Sequence, residues 1–142
     1  MEIIEIKEYT PELLEALNRL LPQLSSTASF LTESGLNQII DSSSSHLLMA
    51  VENNRYYGSL TLVVYKIPTG TRACIEDIVV SSNARGRGIG ARLTEFAVNL
   101  AKQFGAETVN LTSRASREAA NALYKKLGFE KRETNVYRYK IT

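Results

Sequence analysis

Apolar residues recur along this chain at two spacings, and the points where one gives way to the other mark its elements. In residues 2–8, Ile4 and Ile6 fall on one face at period two, which predicts a short strand. Thr10 followed by Pro11 reads as an N-cap with proline in the first helical position, where its missing N–H costs nothing. Leu13, Leu14, Leu17, Leu20 and Leu21 then recur near 3.6, so an amphipathic helix is expected, ending at Pro22. A polar break at 25–29 precedes a weaker helix over 32–40 with Leu36, Ile39 and Ile40 as its stripe. The serine run 42–45 punctuates it as a loop.

Three strands are predicted next, at 46–51, 55–66 and 71–80. Turns at 52–54 and 67–70 make antiparallel hairpins the economical connection. A long helix over 88–104 turns Leu93, Phe96, Ala97, Leu100 and Ala101 inward and closes at Gly105. Residues 107–112 read as a strand. A helix separates it from the strand 71–80, so the two are expected to run parallel. Ser116 is placed to cap a helix reaching about Leu127 and ended by Gly128, and 129–134 with 135–141 form a last hairpin. The expected class is α/β (α+β), one domain over 1–142. It has a mixed central sheet of six to seven strands flanked by about four helices, in the order β-α-α-β-β-β-α-β-α-β-β, with no internal repeat.

One stretch carries more than packing information. After Glu76 and Asp77, the β-branched run Ile78, Val79 and Val80 leads into a polar turn. Gly86, Gly88 and Gly90 then stand on alternate positions before the helical pattern begins. A strand, a glycine-rich turn and a helix start in that order expose several backbone N–H groups at one point. The first turn of a helix has unpaired donors and a partial positive charge, which suits phosphate. Glycine removes the Cβ atoms that would hold a pyrophosphate off the backbone, and Arg85 and Arg87 add charge-assisted donors. Pyrophosphate held mainly by main chain is the physical reading. A Walker-type loop is excluded, because no lysine followed by Ser or Thr stands after these glycines. The dinucleotide fingerprint fits Gly86, Gly88 and Ala91, but residues 81–85 separate its first glycine from the strand. The next strand also ends in Thr112-Ser113-Arg114, without the acidic ribose partner.

Composition narrows the field. At 142 residues the chain is about one domain, and a formal charge of +2 with a pI near 8.7 is too mild to argue for nucleic acid. The mild basic excess suits an anionic cofactor as well as an ordinary solvated surface. A single cysteine, Cys74, allows no internal disulfide, and with one histidine it leaves no usual transition-metal ligand set; no metal is expected. Cys74 precedes an apolar strand and reads as a structural thiol. His46 has no Ser/Asp partner pattern, so a hydrolase triad is unsupported. No apolar run has the length of a membrane span and the N-terminus lacks a signal-peptide pattern, which gives a cytoplasmic expectation.

Arg85-Gly86-Arg87-Gly88-Ile89-Gly90 matches the Arg/Gln-x-x-Gly-x-Gly/Ala loop of the GCN5-related N-acetyltransferases (GNAT family). Upstream, residues 76–80 resemble the strand entering that family's cofactor turn. Downstream, residues 119–129 resemble its later signature, a helix carrying Tyr124 and followed by Gly128-Phe129. The two blocks come in the family's order and separation, and the resemblance covers roughly residues 46–141.

That resemblance implies acetyl-coenzyme A as cosubstrate, with its pyrophosphate on the N–H groups of residues 85–90. Main chain at Ile78, Val79 and Val80 would hold the pantetheine arm in a V between this strand and 107–112, and an N–H there would polarise the acetyl carbonyl. Plain core packing of the same side chains is compatible with this. Tyr124 is the implied acid toward the thiolate leaving group, since a phenol near pKa 10 is protonated at neutral pH; packing on a helix face is the alternative. For the base, Glu76 and Asp77 point to opposite faces, so under ideal alternation only one faces the cleft, and Glu76 is preferred; a β-bulge would reverse that choice. Asn121 either bonds the cofactor or caps a neighbouring loop. Arg117 departs from the family, which often has Asn there; it could reach a phosphate or only solvent. Tyr56, Tyr57, Tyr137 and Tyr139 are expected mostly to pack.

The implied activity is acetyl transfer to a primary amine by direct attack in a ternary complex, with a non-catalytic coenzyme A-binding or regulatory module as the rival. The expected partner is a small-molecule or protein amine, not nucleic acid or membrane; a homodimer stays open. Lys131, Arg132, Arg138 and Lys140 fit an acidic acceptor, or simply a solvated hairpin face. Amino acid, aminoglycoside, polyamine and protein amines all stay open.

Overall fold

A computed structural model describes residues 1–142. In chain order it contains β1 (Glu2–Glu5), α1 (Pro11–Leu24), α2 (Glu33–Asp41), β2 (Ser45–Glu52), β3 (Arg55–Ile67) and β4 (Gly70–Val80). A single 3-10 turn (Ser82–Ala84), α3 (Ile89–Gln103), β5 (Thr108–Asn110) and α4 (Glu118–Lys126) follow. The chain divides into two compact units, Met1–Thr112 and Ser113–Thr142.

In the first unit the five strands lie side by side in sequence order. β2, β3 and β4 pair antiparallel, as the short turns between them require; β1 pairs antiparallel with β2 across the two intervening helices, and β5 runs parallel to β4. Glu52 faces Arg55 across a two-residue turn whose Asn53 and Asn54 have φ of 51° and 60°. Asparagine tolerates that left-handed backbone, which matches strand twist in a tight hairpin.

Alternation gives the sheet two buried faces. Leu47, Met49 and Val79 pack with Leu13, Leu17 and Leu20 of α1 and Leu36 of α2. Burying each such leucine stabilises the fold by about 2 kcal/mol. On the other face Gly58 stands opposite Ala50 and Val80. A Cβ at Gly58 would lie 3.1 Å from Leu93 and 3.2 Å from Ile89, so glycine lets α3 settle on the strands. Leu93, Ala97 and Ala101 of α3 are fully buried, as its periodicity predicts, while Phe96 and Leu100 are partly covered.

Caps set the helix starts. Thr10 Oγ1 accepts from the Leu13 N–H at 3.1 Å and Thr32 Oγ1 from the Gly35 N–H at 3.0 Å. α1 does not end at Pro22; it runs on to Leu24, with proline inside its last turn at the cost of the hydrogen bond an N–H there would give to Asn18. Gly105, at φ 80°, follows the C-cap of α3.

The C-terminal expectations are corrected. α4 begins at Glu118 after Arg117, with no side-chain cap, so Ser116 does not cap it. β5 is three residues rather than six. The hairpin expected from 129–134 and 135–141 does not form, and the sheet has five strands instead of six or seven. Glu130, Lys131, Arg132 and Glu133 are four consecutive charges with no apolar face to bury, and no residue of 129–142 has the positive φ of a tight primed turn. Tyr137 and Tyr139, expected to pack, are each 88% exposed.

Candidate functional site

The site is built where β4 runs out. Between Thr61↔Glu76 and Ser59↔Val79, β4 takes three steps where β3 takes two, so it carries a one-residue β-bulge. Asp77 sits in it at φ 50°, a left-handed backbone uncommon for a non-glycine residue. Glu76 precedes the bulge and shares the α1/α2 face with Thr61. The residues after it are displaced by one, which puts Val79 rather than Ile78 into the core against α1. The bulge therefore shifts the alternation from Asp77 onward and leaves Glu76 in register. Both carboxylates are exposed.

β4 and β5 are joined only at Arg72↔Thr108, Ala73↔Val109 and Cys74↔Asn110. From Ile75 to Val80, β4 has no strand on that side. Its main-chain polar groups along this edge are free to receive an extended ligand, as an added strand would be received. Ile78 and Val80 are partly covered and Val79 is buried, so side chains pack while backbone stays available.

The turn after β4 is anchored from several sides. The Ser81 N–H donates to the Tyr57 carbonyl at 2.8 Å, the Ser82 N–H to Gln23 Oε1 of α1 at 2.8 Å, and Ala84 is buried. Gly86 and Gly88 follow at φ 82° and 74°, and Gly88 is the N-cap of α3. A Cβ built on either glycine meets nothing within 4 Å, so space stands open directly over the backbone. No hydrogen bond within the protein uses the N–H groups of Gly88, Ile89 or Gly90; the first helical bond runs from the Arg92 N–H to the Gly88 carbonyl. α1, α2 and α4 each carry an acid in the first turn, but α3 carries none and has no capping side chain. Its positive end is left for an external anion. Ile89 is buried and roots the helix start, and the Thr94 hydroxyl donates back to the Gly90 carbonyl at 2.8 Å. These features fit a pyrophosphate.

The two loop arginines differ. Arg85 is exposed and has no partner, whereas Arg87 donates to Glu52 Oε2 at 2.6 Å and lies 5.6 Å from the centre of the Tyr57 ring. The Arg87 guanidinium holds the Glu52 carboxyl below its usual range. Sequence reasoning missed Glu52, Tyr57 and Gln23 as supports of this loop. Each is separated from it by tens of residues and belongs to no local pattern. Beside the turn, a groove of about 350 Å³ is lined by residues that include Glu12, Glu15, Arg19, Arg55, Tyr56 and Asn83.

In the second unit, Asn121 and Tyr124 lie one turn apart on α4. Asn121 Nδ2 donates to the carbonyls of Arg114 and Arg117, both at 2.9 Å, so its amide donors close the loop before the helix. Tyr124 is 8% exposed and meets Phe129 edge-on at 5.9 Å between ring centres. Burial pushes its phenol pKa up, against a smaller opposing pull from Arg117. The hydroxyl is therefore protonated at neutral pH.

An open mixed sheet leads into a loop and a helix start whose main-chain donors are unpaired. The model of the acetyltransferase (GNAT) family matches residues 10–129, and the chain belongs to that family. It is 31% identical over 93 residues to an N-alpha-acetyltransferase 30 of Schizosaccharomyces pombe, covering 64% of this chain and 61% of that protein. It is 41% identical over 59 residues to an uncharacterized N-acetyltransferase of Methanocaldococcus jannaschii, covering 42% and 26%. The matched region thus spans less than two thirds of either relative's length. Among solved structures, one described as a transcriptional regulator from Bacillus halodurans superposes with a TM-score of 0.84 at 26% identity, covering 98% and 99% of the two chains. An aminoglycoside acetyltransferase from an uncultured soil metagenomic sample superposes at 0.87 with 21% identity, covering 99% and 95%, a likeness of fold. No helix is long and apolar enough to cross a membrane.

Proposed function

We propose that this chain is an acetyl-coenzyme A-dependent N-acetyltransferase that acts on a primary amine by direct attack in a ternary complex, in the cytoplasm. The observation that carries this reading is the run of unpaired N–H groups from Gly88 to Gly90, beside open space at Gly86 and Gly88, at the end of a strand whose β5-side edge is free from Ile75 to Val80. The cosubstrate supplies an acetyl group activated as a thioester. The amides of residues 85–90 and the Arg85 guanidinium neutralise its pyrophosphate, and the free edge of Ile78, Val79 and Val80 aligns its arm. An N–H on that edge stabilises negative charge as it develops on the acyl oxygen. An alkyl ammonium must lose a proton before it attacks; Glu76, exposed and in register on the face of α1, takes it directly or through water. Tyr124, held protonated by burial, returns a proton to the departing sulfur. Asn121, if it meets the arm, does so through its carbonyl oxygen, since its N–H groups are committed.

Coenzyme A thiol release in the presence of an amine panel tests the activity. Peptide α-amines and aminoglycosides belong in the panel because of the relatives named above. The rival is a coenzyme A-binding regulatory module without turnover, which draws on the likeness to the Bacillus halodurans chain described as a transcriptional regulator. Tight binding with no thiol release above background would favour it. Tyr124→Phe is expected to lower kcat by roughly 10²-fold or more, the scale of general acid catalysis, with unchanged cofactor affinity; an unchanged rate removes the acid role. Gly88→Val places a β-branched residue at φ 74°, straining the loop by about 1–3 kcal/mol and filling the space above the amides. It is expected to abolish coenzyme A binding in a folded protein, as titration calorimetry and circular dichroism would read.

A further inference from the structure

The loop that awaits an anion already holds one. Glu52, at the end of β2, reaches across to Arg87 with a 2.6 Å contact, and the guanidinium also lies over Tyr57. Arg85, two residues earlier, is free. Resting on the reading of residues 85–90 as a pyrophosphate site, we propose that Glu52 is a built-in counter-ion that competes with the cofactor's phosphates for Arg87. Arg87 is parked on Glu52 in the free protein and passes to the pyrophosphate on binding, so that Glu52 loosens the cofactor and speeds departure of its thiol product.

Three observations support this over a purely structural clamp. The loop does not need the pair to hold its position, because Ser81, Ser82 and Ala84 are anchored independently on Tyr57, Gln23 and the core. The pair is solvent-accessible, with the Arg87 side chain 44% and the Glu52 side chain 31% exposed, so separating it leaves no charge stranded in an apolar interior. The 2.6 Å contact also neutralises the Arg87 guanidinium, so its charge is masked from an anionic ligand until the pair separates. Donor and product both carry the pyrophosphate, and an enzyme that must release product at each turnover is limited by a grip that is too firm.

The test is coenzyme A affinity by titration calorimetry and its release rate by stopped flow, for the wild type, Glu52→Gln, Arg87→Gln and the double variant. Glu52→Gln is expected to bind roughly two- to fivefold more tightly at low salt, the range an exposed ion pair allows. The gain is expected mainly in slower release, shrinking as salt rises. Arg87→Gln should cost more affinity in the Glu52→Gln background than alone, because only there is the arginine wholly available; this non-additivity reports the exchange. Weaker or unchanged binding in Glu52→Gln would show that the carboxylate positions Arg87 for the ligand or does nothing, and would overturn the proposal, as would strictly additive substitutions. If the wild type fails to bind coenzyme A, or Gly88→Val binds as well as it does, the reading of the loop itself fails and takes this proposal with it.

Discussion

His46 is buried, its Nδ1 lies 2.7 Å from Glu5 Oε2, and its ring stacks on Phe104 at 4.5 Å. Lys7 Nζ approaches the same carboxylate at 3.1 Å. Burial alone would raise the Glu5 pKa, but hydrogen bonds from His46 and Lys7 and their charges outweigh it, and the net shift is downward. A carboxylate with a depressed folded pKa contributes stability that is fully present above its unfolded pKa and is lost as pH falls through the folded one. Glu5→Gln is therefore expected to lower Tm at pH 7, and the gap from wild type should close as pH drops below roughly 4, the unperturbed carboxylate range. Thermal melts followed by circular dichroism across pH 3–8 would check this; a gap that is constant with pH would show that the charge of Glu5 is irrelevant. Nothing in the sequence pointed to the pair, because 41 residues separate the two partners and neither lies in a recognisable pattern. The glycine turn at Gly86 and Gly88 and the helix that carries Tyr124 were legible for the opposite reason: each is a pattern contained within a few consecutive residues.

The boundaries of α2 and α3 fall close to where the sequence predicts, whereas the extent of β5 and the C-terminal hairpin do not. α2 begins after Thr32 and α3 starts at Gly88 and stops before Gly105, because cap chemistry is local. The gap between β4 and β5 and the bulge at Asp77 are properties of register, which the single strands do not encode, so the number of paired residues could not be read from 107–112 alone. The same distinction explains how α1 meets the segment before α2. Asn18 Nδ2 donates to the Leu31 carbonyl at 2.9 Å, and the Leu31 N–H donates to Asn18 Oδ1 at 2.8 Å. One side chain thus satisfies both main-chain polar groups of Leu31 in the polar stretch between two helices, where no ladder is available. Asn18→Ala leaves both Leu31 groups without a partner in a half-buried position and is expected to cost about 1–3 kcal/mol. Urea denaturation would show it as a lower midpoint with unchanged slope; a midpoint equal to wild type would mean that water replaces the amide fully.

At the scale of the whole chain, the sequence and the fold part company beyond Phe129. Tyr137, Tyr139 and Ile141 alternate with Arg138 and Lys140, a pattern that on its own predicts a half-buried strand. A strand also needs a neighbour to accept its ladder and a core to take its apolar face. The segment joined to it supplies neither: residues 130–133 are all charged, and no main-chain hydrogen bond of a turn or loop involves any residue from 130 to 142. Each of Val136, Tyr137, Tyr139 and Ile141 is at least 75% exposed, so the apolar alternation goes unused. Hydrogen exchange separates the two descriptions, since amide protection reports ladder bonds directly. The expected result is near-intrinsic exchange from Glu130 to Thr142, against slow exchange at Leu48, Leu60 and Leu62, which sit fully buried in paired strands. Protection that alternates along 135–141 would establish the hairpin the sequence pattern calls for and would add its two strands to the five described.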